Sequence, residues 1–252
     1  MNSTRLHRAT RKLLRPLRRS LQGNPPSHTI DEFTGGCLIL IAHPDDEVFC
    51  SGLICELLSR GEQVHLVSFT RGEGGEQAEP SQETKLGNIR ENELQEAAKI
   101  LNISSLTFLD YIDPKSENGQ LKEPQHNSTK LIVELETLLT KHSANHLLTH
   151  GSNGEYWHPA HLCLHRHARK LSQRLPQLNL WTFNAWTKKH PLQGILNQDD
   201  PASLTLDTSK HQEQRLQSLT SHHSQKNVFQ RFSQGSLADF ISLTSNESFR
   251  KW

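Results

Sequence analysis

The chain lacks any long apolar run. Its 252 residues are only 33% hydrophobic, and no stretch approaches the roughly 20 apolar residues that a membrane-spanning helix needs. The amino terminus has no apolar segment typical of a secretory signal. The four cysteines form no C-x-x-C pair, which indicates buried free thiols in a reducing compartment. We therefore expect a cytoplasmic protein of one or two domains with a polar surface.

Acidic residues are absent from the first 30 positions, which hold seven of the 28 basic residues. Leucines recur there at roughly helical spacing, so residues 1–24 could form a basic amphipathic helix in peripheral contact with an anionic membrane. The same composition fits a transit peptide, and Pro16 favours a disordered tail. We interpret residues 1–30 as a tail and linker before a domain at 31–252. That domain is net acidic, so a nucleic-acid partner is not expected.

Apolar runs and helical patterns alternate along the rest of the chain. Strands are predicted at 37–42, 63–69, 106–109, 146–149, 180–186 and 204–206. Helices are predicted at 48–58, 84–101, 128–140, from 159 onward and at 210–222. This alternation is typical of an α/β fold of the Rossmann-like, doubly wound kind, with a mostly parallel sheet and right-handed crossovers.

The first predicted strand ends in a histidine followed by two carboxylates, in the sequence His43-Pro44-Asp45-Asp46-Glu47. Pro44 disfavours a helical conformation at His43 and can itself open the following helix. The turn therefore lies at the carboxyl end of a strand, where open α/β sheets bind ligands. An imidazole beside two carboxylates suits a catalytic zinc site with a neighbouring base. The competing interpretation is that the aspartates only cap the helix.

A second histidine motif follows the strand at 146–149. It contains Tyr156, His158, Pro159 and His161, and Pro159 again fits the start of a helix. The two histidines are three residues apart, so we predict that they share one helical face. The two turns together offer three metal ligands, an open coordination position and one further histidine for catalysis.

The paired motifs resemble the PIG-L/LmbE-like family of zinc-dependent N-deacetylases, over a region from about residue 36 to 225. The resemblance implies an LmbE-like deacetylase domain that binds Zn²⁺, with Fe²⁺ possible at similar ligands. It implies that His43, Asp46 and His161 bind the metal. It also implies that Asp45 is the general base and that His158 stabilises the tetrahedral intermediate.

One position departs from the family pattern. Ala160 stands between Pro159 and His161, where the family usually has an aspartate. If that aspartate orients a histidine, its replacement could weaken metal affinity or activity.

Four further residues are predicted to bind substrate through the same resemblance: Glu73, Arg90, Tyr156 and His222. Each has a simpler explanation. Glu73 could belong to a flexible acidic loop, and Arg90 could be a surface residue paired with Glu93. Tyr156 could be an aromatic wall, and His222 could complement a helix carboxyl terminus.

The predicted function is metal-dependent hydrolysis of the acetamide of an N-acetylglucosamine-containing conjugate, small or lipid-linked. Two alternatives stay open: a zinc hydrolase of another amide or ester, and a non-catalytic sugar-binding relative. The oligomeric state is not predicted. His165 is interpreted as a packing residue. The remaining histidines, including His126, His142 and His190, are expected at the surface.

Overall fold

The computed structural model describes Arg15, residues 25–76 and residues 85–252. The amphipathic helix considered for residues 1–24 therefore lies outside the described residues, except for Arg15. The Nε of Arg15 donates a hydrogen bond of 3.0 Å to Asp199 Oδ1. Within the described ranges, no helix is both long enough and apolar enough to cross a bilayer.

Nine strands occur in the described residues. They are β1 Cys37–Ile41, β2 Val64–Ser68, β3 Ser105–Phe108, β4 His146–Thr149, β5 Asn179–Phe183, β6 Ala185–Trp186, β7 Asn197–Pro201, β8 Leu204–Asp207 and β9 Asn246–Lys251.

The longer helices of the described residues are numbered in chain order. They are α1 Ser51–Ser59, α2 Leu86–Leu101, α3 Ser128–Lys141, α4 Pro159–Arg174, α5 Gln212–Ser221, α6 Lys226–Ser233 and α7 Leu237–Leu243. A kinked helical turn at Gly154–Trp157 precedes α4, and short 3-10 turns occur at Ile30–Glu32, Asp46–Cys50, Gln193–Ile195, Ser209–His211 and His223–Gln225.

Seven strands form the main sheet in the order β3-β2-β1-β4-β5-β9-β8. The first five are parallel, while β9 runs antiparallel to both of its neighbours. β6 and β7 form a separate parallel pair. The prediction of an α/β fold with a mostly parallel sheet is therefore confirmed.

Helices cover both faces of the sheet, so β1 is buried on both sides. Ile39 and Ile41 belong to an apolar cluster that also includes Leu53 of α1 and residues of α5 to α7. Leu38 and Leu40 alternate with them and belong to a second cluster, which contains residues of α3 and α4. A continuous apolar strand between two helical layers is the arrangement expected of a doubly wound sheet.

The predicted strand at 180–186 is interrupted. It breaks at Asn184, whose positive φ of 53° ends β5 and turns the chain into β6. Asparagine tolerates this left-handed conformation better than most residues, and a strand pattern alone does not reveal it.

The helix predicted at 210–222 does not close the fold. It is followed by α6, α7 and β9, and β9 inserts between β5 and β8. The sequence of β9 contains Phe249 as its only large apolar residue, which is fully buried. The apolar pattern of that segment was therefore too weak to predict a strand.

Candidate active site

The two histidine motifs meet at the carboxyl end of the parallel sheet. His43 lies two residues beyond β1, and His150 follows β4 directly. Asp45 has φ 109° and ψ −17°, a left-handed conformation that is strained for a residue with a side chain. The 3-10 turn Asp46–Cys50 comes next, so α1 begins later than the helix predicted from residue 48.

Three predicted ligands form a compact triangle. His43 Nδ1 lies 3.3 Å from Asp46 Oδ2 and 3.4 Å from His161 Nε2, and His161 Nε2 lies 3.4 Å from Asp46 Oδ1. Tetrahedral zinc with N and O ligands at ~2.0–2.2 Å separates those ligands by about 3.4 Å. Each separation therefore matches that of two zinc ligands, with the two Asp46 contacts made by different carboxylate oxygens. Ligand atoms within 4.8 Å of one another occur in two overlapping groups, His43 with His158 and His161, and Asp46 with His150 and His161.

The electrostatics of the turn favour a cation. Burial alone would lower the pKa of His43, but Asp113 and Asp46 raise it to about 10. Asp113 Oδ1 lies 3.5 Å from His43 Nε2, on the side of the ring away from Asp46. Although burial would raise the pKa of Asp46, the neighbouring His161, His150 and His43 hold it well below its usual value. The carboxylate is thus kept ionised for a metal.

His158 lies beside the ligands but not on the helix that carries His161. Its φ of −67° and ψ of 126° are extended, and it caps α4, which begins at Pro159. The prediction that the two histidines share a helical face is therefore wrong, because a residue before proline disfavours the helical region. The His158 ring centroid still lies 4.6 Å from those of His43 and His161.

Burial, and then the charges of His43 and His161, lower the pKa of His158 well below its ordinary value. Its Nδ1 is buried and has no hydrogen-bond partner among the described residues. The lowered pKa favours the neutral imidazole form of His158.

Asp45 forms an ion pair with Arg90. Arg90 Nη2 lies 3.0 Å from Asp45 Oδ1 and also donates to the carbonyl oxygen of Pro44, while Nη1 donates to Gly72 O at 3.1 Å. Burial raises the pKa of Asp45, Arg90 opposes that shift and Asp46 adds to it, and the resulting pKa is about 6. Asp45 is thus an unusually basic carboxylate.

Arg90 is only 3% exposed, so the competing interpretation of a surface arginine paired with Glu93 is wrong. Glu93 instead accepts two hydrogen bonds from Ser224, both of 2.7 Å. The guanidinium of Arg90 contacts protein atoms on the Asp45 turn.

His222 is fully enclosed behind the same turn. Its Nε2 lies 2.6 Å from Glu47 Oε1, and Glu47 Oε2 accepts a hydrogen bond of 3.0 Å from the backbone N–H of Asp45. Burial alone would lower the pKa of His222, but the charge and hydrogen bond of Glu47 raise it. His222 therefore supports the Asp45 backbone through Glu47.

The other two predicted substrate residues are less buried than Arg90 and His222. Tyr156 is 40% exposed, and its ring centroid lies 5.5 Å from that of His161. Glu73 is half-buried, and its Oε2 accepts a hydrogen bond of 3.0 Å from the backbone N–H of Asp113.

Sequence reasoning missed the side chains that hold His161. Glu155 Oε2 accepts hydrogen bonds from His161 Nδ1 at 2.6 Å and His150 Nδ1 at 2.9 Å. His150 Nε2 is occupied in turn, because it accepts a hydrogen bond of 3.0 Å from the backbone N–H of Ala42. His161 Nε2 therefore faces His43 and Asp46, whereas His150 Nε2 is engaged by the backbone of Ala42.

Glu155 is itself held in an unusual conformation. Its φ of 55° and ψ of −83° lie outside the helical region. Asn197 Nδ2 donates to Glu155 Oε1 at 2.9 Å, and Asn197 Oδ1 accepts from the backbone N–H of Glu155 at 3.1 Å. The sequence contains only an indirect signal for the role of these side chains: two polar residues, His150 and Glu155, follow the end of a buried strand.

The expectation that most other histidines lie at the surface is wrong. His190 is buried, and His126 and His142 are only partly exposed. His165 is buried, and its Nδ1 lies 3.0 Å from the carbonyl oxygen of His150 while its ring contacts Trp252. Its position agrees with a packing role.

The chain is thus an α/β protein with a cluster of histidine and aspartate side chains that could hold a metal ion at the carboxyl ends of its strands. The family model described as PIG-L, GlcNAc-PI de-N-acetylase, matches residues 38–172. The chain belongs to this family.

One relative is a 1D-myo-inositol 2-acetamido-2-deoxy-alpha-D-glucopyranoside deacetylase from Corynebacterium glutamicum. It is 27% identical over 61% of this chain, and the match spans 58% of that relative's length. The chain therefore matches less than two thirds of the length of this relative.

Two solved structures share the fold. N,N'-diacetylchitobiose deacetylase from Pyrococcus horikoshii matches with a TM-score of 0.58 and 17% identity, covering 98% of this chain and 92% of that one. GalB, the 4-carboxy-2-hydroxymuconate hydratase from Pseudomonas putida KT2440, matches with a TM-score of 0.62 and 16% identity, covering 86% and 96%. Because the second is a hydratase, the fold by itself does not define the reaction.

Proposed function

We propose that this protein hydrolyses the acetamide of an N-acetylglucosamine-containing conjugate in a metal-dependent reaction, releasing acetate and a free amino sugar. The observation that carries the proposal is the triangle of His43, Asp46 and His161 with the basic carboxylate of Asp45 beside it. Family membership and the deacetylase relative support the same chemistry. The relative's name suggests an amino sugar linked to inositol as one substrate to test.

We assign Zn²⁺ to the site, with Fe²⁺ as a second possibility for the same ligands. His43, Asp46 and His161 would hold the ion and leave one position open, as catalytic zinc sites do. Bound zinc would polarise the acetamide carbonyl and lower the pKa of a water molecule towards ~7.

Asp45 is the proposed general base. Its carboxylate would take the proton from the attacking water and return it to the departing nitrogen. Its pKa of about 6 lies close to neutral pH, where proton transfer in both directions is efficient. Arg90 Nη2, 3.0 Å from Asp45 Oδ1, keeps that side chain in one orientation.

His158 is the proposed donor to the oxygen that becomes negative in the tetrahedral intermediate. Its neutral ring can donate one N–H, and it lies against both histidine ligands. Tyr156 closes the same side of the site and could add a second donor. Such preoriented donors usually contribute a large part of catalysis.

The substrate-binding roles predicted for Glu73, Arg90 and His222 remain proposals. Glu73 is half-buried and could accept hydrogen bonds from sugar hydroxyls. Arg90 and His222 are buried against the Asp45 turn, so we propose that they act on substrate mainly through the position of Asp45.

Two other proposals concern the chain outside the site. Residues 31–252 would form the deacetylase domain, which acts in the cytoplasm. The basic residues 1–24 would hold it at an anionic membrane surface, where a lipid-linked amino sugar would be accessible.

The test is acetate release from a panel of N-acetylglucosamine conjugates by the zinc-loaded protein. Asp45→Asn keeps the side-chain shape but cannot accept a proton at neutral pH. We expect its kcat to fall by ~10²–10⁴-fold, the usual contribution of a positioned acid–base group. Its zinc content should stay unchanged, because Asp45 is not a proposed ligand.

His161→Ala and His165→Ala form a matched pair on α4. The first should lose the bound zinc, and the second should keep it. Acetate release by Asp45→Asn at the wild-type rate would exclude Asp45 as the base. Sugar binding without acetate release by the zinc-loaded wild type would favour the non-catalytic alternative, and release of other acyl groups at comparable rates would favour the broader hydrolase.

A further inference from the structure

A second group of metal-binding side chains lies on a different side of α4 from His161. Cys163 and His167 are four residues apart on α4, so they share one helical face, and His126 approaches them from the loop before α3. Cys163 Sγ lies 3.7 Å from His126 Nε2 and 3.6 Å from His167 Nδ1. One ligand atom from each of the three side chains falls within 4.8 Å of the others.

The separation between Cys163 Sγ and His126 Nε2 matches that of two metal ligands. A tetrahedral zinc ion with sulfur at ~2.3 Å and nitrogen at ~2.0–2.1 Å holds the two atoms about 3.6 Å apart. His167 would bind through Nε2, because its Nδ1 donates a hydrogen bond to Cys163 O. The rings of His126 and His167 are nearly perpendicular, at 82°, with centroids 4.9 Å apart. They therefore approach the sulfur from different directions instead of stacking on each other.

Backbone carbonyl oxygens orient both histidine rings, as they commonly orient histidines that bind a metal. His126 Nδ1 donates to Pro124 O at 2.9 Å, which leaves the lone pair of Nε2 facing Cys163. His167 Nδ1 lies 2.9 Å from Cys163 O, and its Nε2 is buried with no hydrogen-bond partner in the described part of the chain. A backbone carbonyl on the second ring nitrogen is the usual support of a metal-binding histidine.

Glu123 closes the outer edge of the cluster. Its Oε1 lies 3.8 Å from His126 Nδ1. Its second oxygen accepts a hydrogen bond of 2.5 Å from Arg166, so one carboxylate oxygen is engaged outside the cluster. Glu123 is 33% exposed, which provides a route from solvent to an otherwise buried site.

We propose that His126, Cys163 and His167, with Glu123 at the open edge, bind a second transition-metal ion, of which Zn²⁺ suits the thiolate and imidazole donors best. The ion replaces the thiol proton, which leaves to Glu123 or to water, and a sulfur–metal bond forms. The bound ion ties the loop containing His126 to α4. This site is independent of the proposed deacetylase reaction.

A simpler role for Cys163 as a reactive thiol does not fit. Burial raises the pKa of Cys163 to about 12, and the residue is fully buried. A protonated, enclosed thiol is a poor nucleophile.

Cobalt binding distinguishes this cluster from the proposed active site. The active-site ligands are two histidines and an aspartate, so a cobalt–thiolate absorption band can arise only from a cysteine-containing site. We expect the chelator-treated full-length protein to take up about two equivalents of Co²⁺ and to show this band. His161→Ala should keep the band and lose about one equivalent.

Cys163→Ser should lose the band and about one equivalent while keeping cobalt at the active site. Cys55→Ala is the matched control, because Cys55 is buried in the other apolar cluster and should leave the band unchanged. His126→Gln, at a partly exposed position, serves if Cys163→Ser fails to fold, and it should weaken the band at limiting cobalt. Wild-type protein with about one equivalent and no thiolate band, or a band that survives Cys163→Ser, would overturn the proposal.

Discussion

At the scale of single residues, Glu155 supplies the carboxylate that is missing at Ala160, where the family usually has an aspartate. Ala160 is fully buried in the apolar cluster beside α4 and cannot orient a histidine. Glu155 instead accepts hydrogen bonds from both His161 and His150, so a carboxylate five residues before position 160 holds the ring of His161. Among the described residues, His158 Nδ1 has no hydrogen-bond partner.

Glu155→Gln should therefore lower zinc affinity by ~10–100-fold, the usual effect of removing a group that supports a metal ligand. The amide keeps the shape of the side chain but loses the charge that His161 and His150 share. Competition with a fluorescent chelator measures this change. Glu136→Gln, on the surface of α3, is the control and should bind zinc like wild type; an unchanged affinity in Glu155→Gln would show that Glu155 is not needed.

At the scale of elements, β7 and the turn after β4 form one unit through Asn197. Its Oδ1 accepts from the backbone N–H groups of Asn153 and Glu155, each at 3.1 Å. Its Nδ2 donates to Glu155 Oε1 and to Phe183 O, at 2.9 and 3.0 Å. Since Asn197 is fully buried, water cannot replace these bonds.

Asn197→Ala should destabilise the protein by about 2–4 kcal/mol, because several buried polar groups lose their partners. It should also weaken zinc binding through Glu155. Asn197→Asp should be at least as harmful at neutral pH, since it places a second carboxylate against Glu155 Oε1. Chemical denaturation measures the stability. A variant as stable as wild type would mean that the turn does not depend on this side chain.

At the scale of the whole molecule, Glu56 connects α1 to the segment before α5. Its two oxygens contact Arg60 Nε at 2.9 Å, Lys210 Nζ at 2.6 Å and His211 Nε2 at 3.0 Å. Burial alone would raise the pKa of Glu56, but the hydrogen bonds from Lys210, His211 and Arg60 lower it from 4.5 to about 2.

A carboxylate whose pKa is lower in the folded state stabilises the protein above its unfolded pKa of 4.5. That contribution is lost as the pH falls from about 4.5 towards 2. Glu56→Gln should therefore be less stable than wild type by about 1–2 kcal/mol at pH 7, a value reduced because Lys210 is exposed and its charge is screened. The difference should shrink at pH 3. Denaturation at both pH values, at equal metal content, provides the test; a constant difference would contradict it.

The basic tail is a second feature at this scale. Deleting residues 1–24 should leave kcat on a soluble substrate close to wild type, while co-sedimentation with anionic liposomes should fall. Added salt should weaken sedimentation of the full-length protein, because surface charges are screened within ~8–10 Å at physiological ionic strength. Equal sedimentation of both proteins would leave the tail without a membrane role.

The fold class was predictable because its signals are local. Apolar runs such as the one from Cys37 to Ile41 and helical patterns such as that of Leu86–Leu101 alternate along the chain, and a residue's neighbours in sequence determine both. The weakly apolar β9 could not be predicted, because its position depends on pairing with β5 and β8 from distant parts of the chain.

The sequence by itself determined which residue types stand at the strand ends, and the resemblance of its motifs to the deacetylase family implied His43, Asp46 and His161 as candidate ligands. Only the tertiary structure decided which ring nitrogens are free. In the folded chain, Glu155 and the backbone of Ala42 form hydrogen bonds with His150. His126 lies against Cys163, 37 residues away along the chain. The physical reason is that a hydrogen bond or a metal site depends on distances of a few ångströms between side chains, which the fold sets and the local sequence pattern does not contain.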